Sequence, residues 1–181
     1  MNSISSEEDF QKKLIGILLI LFPKYILCLE KVNIKDENGK KRILDYLLVD
    51  ANGNVDIIEI KKAFSDSLMS KTKYRDNYIP HHELNGSIVQ VEKYLYYLTS
   101  NKKENEIMIN NLKRDKLKNI EINIKNPQAM VICGRSNNLS NEQTNDFEII
   151  RRNYKNIIDI ITYDDLLERL KNTISFFSNQ L

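Results

Sequence analysis

The sequence predicts an α/β fold, a mixed β-sheet with helices packed on it. An amphipathic opening segment is followed by three β-like stretches separated by short turn signals. Helical segments then alternate with two short apolar runs, giving the order α, β, β, β, α, β, α, β, α. The length of 181 residues, 41% of them hydrophobic and 29% charged, suits one domain over the whole chain with a real core.

Several classes are set aside by composition. No apolar run reaches the roughly 18–20 residues that span a bilayer. The richest, Leu14 to Phe22, follows Glu7, Glu8 and Asp9 instead of the basic start of a signal peptide, so no membrane partner is expected. Cys28 and Cys133 lie far apart in apolar runs and read as buried thiols, in keeping with a reducing cytoplasm. A net charge of +2 does not announce a nucleic-acid partner, although a local basic stretch can still contact phosphates.

The first helix is expected from Ser5 or Ser6, with serine as N-cap and acids in its first turn. Its apolar stripe is Phe10, Leu14, Ile17, Leu18 and Leu21, and Glu7 falls on the same face. Tyr25 to Ile34 is a strand ending at the turn signal Asp36-Glu37-Asn38-Gly39. Arg42 to Asp50 and Asn54 to Lys61 flank Ala51-Asn52-Gly53, a loop suited to a type I turn closed by a left-handed glycine. After a polar, basic stretch, a helix begins near His82 with the stripe Leu84, Ile88, Val91, Leu95 and Leu98. It continues, or breaks and resumes, to about Lys118. Ala129 to Cys133 is a short strand stopped by Gly134; a helix follows over Asn141 to Tyr154, then a strand over Ile157 to Ile161. Thr162 caps the last helix, with Asp165 three residues on.

The central hairpin carries the chemistry. A loop closed by Asp50 and Asn54 sets Asp45 opposite Glu59, and opposed residues of an antiparallel pair project from one face. Lys61, two residues beyond Glu59, joins them, while Ile58 and Ile60 face the other side with Leu44 and Tyr46. Two carboxylates so close repel unless a cation or a proton intervenes. A hard divalent ion, Mg²⁺ or Mn²⁺, suits such oxygen ligands and can polarise a phosphoryl oxygen or activate water. A neighbouring ammonium orients that water or stabilises developing charge. The alternative is an ordinary surface pairing of opposite charges across strands.

Gln90 and Tyr94 are four residues apart and share one face of the next helix, beside its apolar stripe. Glu83 and Ser87 lie along the same edge, and Gly86 would permit close approach to the sheet. Such a polar line either reaches a site at the sheet end or is a solvated shoulder.

Asp45, then Ile57-Ile58-Glu59-Ile60-Lys61, then Gln90-x-x-x-Tyr94 resembles the PD-(D/E)xK nucleases that bear a QxxxY helix. More narrowly, the pattern is similar to the Shedu family of bacterial anti-phage defence nucleases. The matching stretches are Glu7-x-x-Phe10-x-x-x-Leu14, Glu83 to Tyr94, Val131-Ile132-Cys133-Gly134-Arg135 and Ile160 to Leu167. The resemblance implies a restriction-endonuclease-like fold, a three-stranded meander plus further strands flanked by helices, cutting foreign DNA with Mg²⁺ or Mn²⁺. Asp45 and Glu59 would bind the metal with the Ile60 carbonyl, and Glu7 would lie near it. Lys61 would assist the attacking water, Gln90 would position Lys61 or a phosphate, and Tyr94 would support the helix face. The usual proline before the first acid is replaced by Leu44. Family members often carry an additional N-terminal domain and form oligomers. A homo-oligomer is therefore expected, of a minimal member or of the nuclease part of a longer chain.

Lys62, Lys71, Lys73 and Arg75 form either a phosphate-contacting loop or a solvated basic one. Arg135 either neutralises a phosphate or ends a strand, and His81 and His82 belong to the start of the helix. Of the adjacent Phe176 and Phe177, one is expected in the core and the other at an interface. A restriction-like or mobile-element nuclease and a non-catalytic nucleic-acid-binding module are the competing readings. The presence of Asp45, Glu59, Lys61 and Gln90 together speaks against the second.

Overall fold

The computed structural model describes residues 7–61, 68–113, 116 and 119–179, with side chains from residue 10 onward. Ser5, Ser6, Lys62, Lys118 and the side chain of Glu7 lie outside the described residues. The elements run α1 (Glu7–Leu21), β1 (Tyr25–Lys35), β2 (Lys41–Asp50), β3 (Val55–Ile60), α2 (His82–Ser100), α3 (Lys102–Lys113), β4 (Ala129–Ile132), α4 (Asn141–Tyr154), β5 (Ile158–Ile161) and α5 (Tyr163–Ser178). Among the described residues, five strands form one open sheet in the order β1-β2-β3-β4-β5. The β1-β2-β3 meander is antiparallel, and β4 and β5 join it in parallel. This is the predicted mixed sheet, compatible with a restriction-endonuclease-like fold.

Alternation along the strands supplies both faces of the sheet with apolar side chains. Tyr46, Leu48, Ile58, Ile60 and Ile132 pack against Leu14, Ile15 and Leu18 of α1 and Leu166 of α5. On the other face, Leu47, Val49, Ile57 and Val131 meet Leu84, Ile88, Val91, Leu95 and Leu98 of α2, Ile109 of α3 and Phe147 of α4. The result is a three-layer sandwich in which each fully buried Leu or Ile contributes about 1.5–3 kcal/mol. Among the described residues, no helix is long and apolar enough to cross a membrane.

Several elements depart from the expected pattern. In α1 the buried residues are Leu14, Ile15 and Leu18, while Phe10 is exposed and its ring lies 6.1 Å from that of Tyr163. The long charged helix breaks at Asn101, whose amide donates to Tyr97 O. The break lets buried Asn105 accept from Lys35 N (2.7 Å) and donate to Lys35 O (3.2 Å), tying α3 to the edge strand β1. Gly86 is exposed, and a side chain there would meet open space instead of the sheet. Neither Phe176 nor Phe177 enters the core: both are exposed and their rings meet edge-on 5.7 Å apart.

Leu44 also changes sides. It packs with Val32, Ile34 and Leu47 in the α2-side core, not with Tyr46. The cause lies in β1, where Lys31 adopts φ 51° and Glu30 and Lys31 are exposed in succession. A left-handed residue inside a strand breaks the two-residue alternation. Leu29 and Val32, three apart, consequently share one core, and paired β2 shows the same three-residue step from Leu44 to Leu47.

Candidate active site

The site is built from the β2–β3 turn outward. The Asp50 amide donates to Asn54 O at 3.0 Å, making the closing pair, and Gly53 N donates to Asp50 O at 3.1 Å. Gly53 has φ 79°, and a Cβ there would fall 1.9 Å from Glu121 O, so both conformation and space require glycine. The Asp50 carboxylate accepts from the amides of Asn52 (2.8 Å) and Asn54 (2.9 Å), fixing the turn. From this pair the register runs Val49↔Val55, Leu48↔Asp56, Leu47↔Ile57 and Tyr46↔Ile58. The next step is Asp45 opposite Glu59, as the turn predicts, although the paired ladder has ended one position earlier. Counting from the hydrogen-bonded pair Asp50–Asn54, this is a non-hydrogen-bonded position, where opposed side chains approach most closely.

On its other edge β3 stays paired longer, from Ile57↔Ala129 to Ile60↔Ile132, and Lys61 N donates to Ile132 O at 2.8 Å. Ile57 N likewise donates to Gln128 O, so the odd-numbered residues direct their main-chain groups at β4. The Ile60 carbonyl therefore faces the β2 side, where pairing has stopped.

Glu59 is 2% exposed. Burial pushes its carboxyl above the usual range; the hydrogen bond and charge of Lys61 oppose this, and the charge of Asp45 adds to it. Lys61 Nζ lies 2.7 Å from Glu59 Oε1 and donates to Gln90 Oε1 at 3.3 Å. The Gln90 amide nitrogen donates to Glu59 Oε2 (3.3 Å) and to the Tyr94 hydroxyl (3.4 Å). Glu59, Lys61 and Gln90 thus close a triangle, and Tyr94 holds its outer corner from the same helix face. The α2 stripe that buries Ile88 and Val91 turns Gln90 toward β3, and Ser87 Oγ donates to Glu83 O (2.8 Å) along that edge.

Sequence reasoning missed Lys31. Its ammonium donates to Asp45 Oδ1 at 2.8 Å from the opposite side of β2. The β1–β2 register, with Glu30↔Tyr46 and Val32↔Leu44, sets Lys31 level with Asp45. A count across the Asp36–Gly39 turn, like the one made across Ala51–Gly53, would have found it.

The basic residues divide. Lys73 is committed to Glu142 of α4 at 2.9 Å, whereas Lys71 is exposed. Arg75, exposed at φ 48° beside Asp76 at 66°, sits at the tip of a small hairpin bridged at Tyr74↔Asn77 and Met69↔Pro80. Its guanidinium lies 5.5 Å from the centre of the Tyr74 ring. Arg135 is exposed just after Gly134 at the end of β4. His81 caps α2, accepting from Glu83 N, so the histidine pair does belong to the helix start.

Comparison with known proteins now places the chain. The family described as Shedu protein SduA, C-terminal, matches residues 4–167. The chain belongs to this Shedu family. A Shedu protein SduA of Bacillus cereus (strain B4264) is 32% identical over 144 residues, 78% of this chain and 36% of the relative. The chain thus spans little more than a third of the length of that Shedu relative. Lys31, Asp45, Glu59, Lys61 and Gln90 all fall inside the Shedu match.

A divalent metal fits the donor set. Among the described residues no group of three or more His, Cys, Asp or Glu side chains converges as a metal site. Asp45 and Glu59 with the Ile60 carbonyl instead offer two carboxylates and one main-chain oxygen. That sparse set suits Mg²⁺, which keeps several waters and takes one or two carboxylates. It suits zinc poorly, since structural zinc sites want four nitrogen or sulfur ligands.

Proposed function

We propose that this chain is a divalent-metal-dependent DNA endonuclease that hydrolyses phosphodiester bonds of foreign, phage DNA in bacterial antiviral defence. The observation that carries the reading is the Glu59–Lys61–Gln90 triangle on β3 and α2, facing Asp45 across the end of the β2–β3 ladder. A binding module needs no buried carboxylate held against an ammonium, whereas metal-assisted hydrolysis needs both.

Asp45, Glu59 and the Ile60 carbonyl would hold Mg²⁺ or Mn²⁺, which when bound would polarise a phosphoryl oxygen and make a bound water more acidic. Buried Glu59 provides its carboxylate in a low-dielectric setting where the attraction for a cation is strong. Lys61 places an ammonium beside that carboxylate, where it can orient a water for attack and offset charge gathering on the phosphate. Gln90, bonded to both, fixes the Lys61 amine and leaves its geometry little freedom. Lys71, Arg75 and Arg135, all exposed, are the cations placed to contact phosphates without reading bases.

The test is plasmid cleavage with Mg²⁺ or Mn²⁺ by wild type, Asp45→Ala and Lys61→Ala. Cleavage by wild type and its loss in both variants, with folding intact by circular dichroism, is expected. Cleavage that survives both substitutions, or that never occurs on any form of DNA, overturns the assignment.

A further inference from the structure

We propose that Lys31 is a built-in counter-ion of the metal site, a positioning residue whose ammonium takes the place of the divalent cation at Asp45 until one binds. The inference rests on the metal-dependent reading above and adds to it a residue that sets the affinity for the metal.

Three observations point this way. Lys31 contacts Asp45 Oδ1 at 2.8 Å, and its charge is also felt at Glu59, where it helps to stabilise the carboxylate. It does so from a backbone conformation, φ 51°, that is unfavourable for a lysine within a strand. Such strain persists where the surrounding structure imposes it, and it gathers at functional sites. Finally, the two ammoniums of the cluster are held very differently. Lys61 pairs with a carboxylate whose side chain is 3% exposed and is held by Gln90 as well. The Lys31–Asp45 pair lies at the rim, with side chains 63% and 39% exposed.

A pair so exposed is weakly held, because water screens it. An ammonium and a divalent cation repel each other on one carboxylate, so the cation displaces the weaker partner. Lys61 stays on Glu59 and Lys31 gives up its contact with Asp45. The site thereby keeps its charges matched before loading and presents Asp45 to the metal in exchange for the exposed Lys31–Asp45 contact.

Titration calorimetry of the whole chain with MnCl₂, without DNA, tests this. Lys31→Met and Lys31→Gly should bind Mn²⁺ roughly three- to tenfold tighter than wild type, and Lys31→Arg about as wild type. Lys31→Gly should also melt at a higher temperature, since glycine accepts the left-handed backbone, which guards against misreading a folding defect. Lys41→Met, an exposed lysine away from the cluster, controls for long-range charge. Unchanged or weaker binding in Lys31→Met and Lys31→Gly, with binding lost in Asp45→Asn, overturns the role of Lys31 alone. Tightening by Lys41→Met equal to that of Lys31→Met does the same. Wild-type binding by Asp45→Asn overturns the metal site itself.

Discussion

The hydroxyl of Tyr163 donates a hydrogen bond to the backbone carbonyl of Lys61 at 2.7 Å, across 102 residues of sequence. Tyr163 opens α5 directly after the Thr162 cap, and its own amide donates to Gly134 O. The start of the last helix therefore braces the strand end that carries the amine. Tyr163→Phe should cost about 1 kcal/mol of stability. Cleavage should fall several-fold, because the Lys61 main chain loses a fixed point. Urea unfolding and plasmid cleavage check the two effects, and an unchanged cleavage rate would remove the bracing role.

Gln90→Ala removes the group that joins Glu59 to Lys61. Cleavage should drop roughly 10- to 100-fold, the usual cost of losing a partner that orients a ligand. Tyr94→Phe, which gives up one contact of 3.4 Å, should cost less. Equal losses in the two variants would show that the Gln90 bridge has no special weight.

Gly53→Ala should destabilise the fold by about 2 kcal/mol or more. It combines a positive φ with a Cβ set against Glu121 O. The hairpin register should loosen with it, so Mn²⁺ binding is expected to weaken at temperatures where the domain remains folded. Thermal melting and metal titration read the two separately.

At Asp36, burial alone would raise the carboxyl, but the amides of Lys40 and Asn38 and the Arg42 guanidinium overcome it and hold it below its ordinary range. A folded value below the unfolded one means stability that is present above the unfolded value and lost as pH falls through the folded one. Asp36→Asn should therefore flatten the stability curve below about pH 4 and leave its shape near neutrality unchanged. Chemical unfolding at a series of pH values shows it.

Burial pushes both thiols, Cys28 and Cys133, up to about 12. Neither should react with a thiol reagent at pH 8 until denaturant is added, when both should react. A fast phase in the native protein would contradict this.

The hairpin was legible because its turn chemistry is local: Asp50, Asn52 and Gly53 fix a closing pair, and the register follows by counting. The Gln90 and Tyr94 placement was legible because the α2 stripe is regular. The level of Lys31 with Asp45 could be counted from the Asp36–Gly39 turn, but its left-handed backbone was hidden, since a lysine in a strand gives no sign of it. The displacement of Leu44 follows from the same residue and was hidden with it. The hairpin at residues 69–80 escaped notice because its tip sets Arg75 and Asp76, not glycine or asparagine, at positive φ. Phe176 and Phe177 show the opposite error: aromatic side chains near a terminus were given a core that ends before reaching them.

A strand order that copies the chain order also predicts how the molecule assembles. Each strand can dock on the one made just before it, so the sheet grows outward from one edge without threading. The hairpin that brings Asp45 level with Glu59 closes through a three-residue loop and its ladder is local, whereas the Lys61–Gln90 contact spans 29 residues and waits for α2. The carboxylates should thus meet early in folding and the amide that steadies them late. Destabilising changes in the Ala51–Gly53 turn should slow refolding, while those at Gln90 should mainly hasten unfolding.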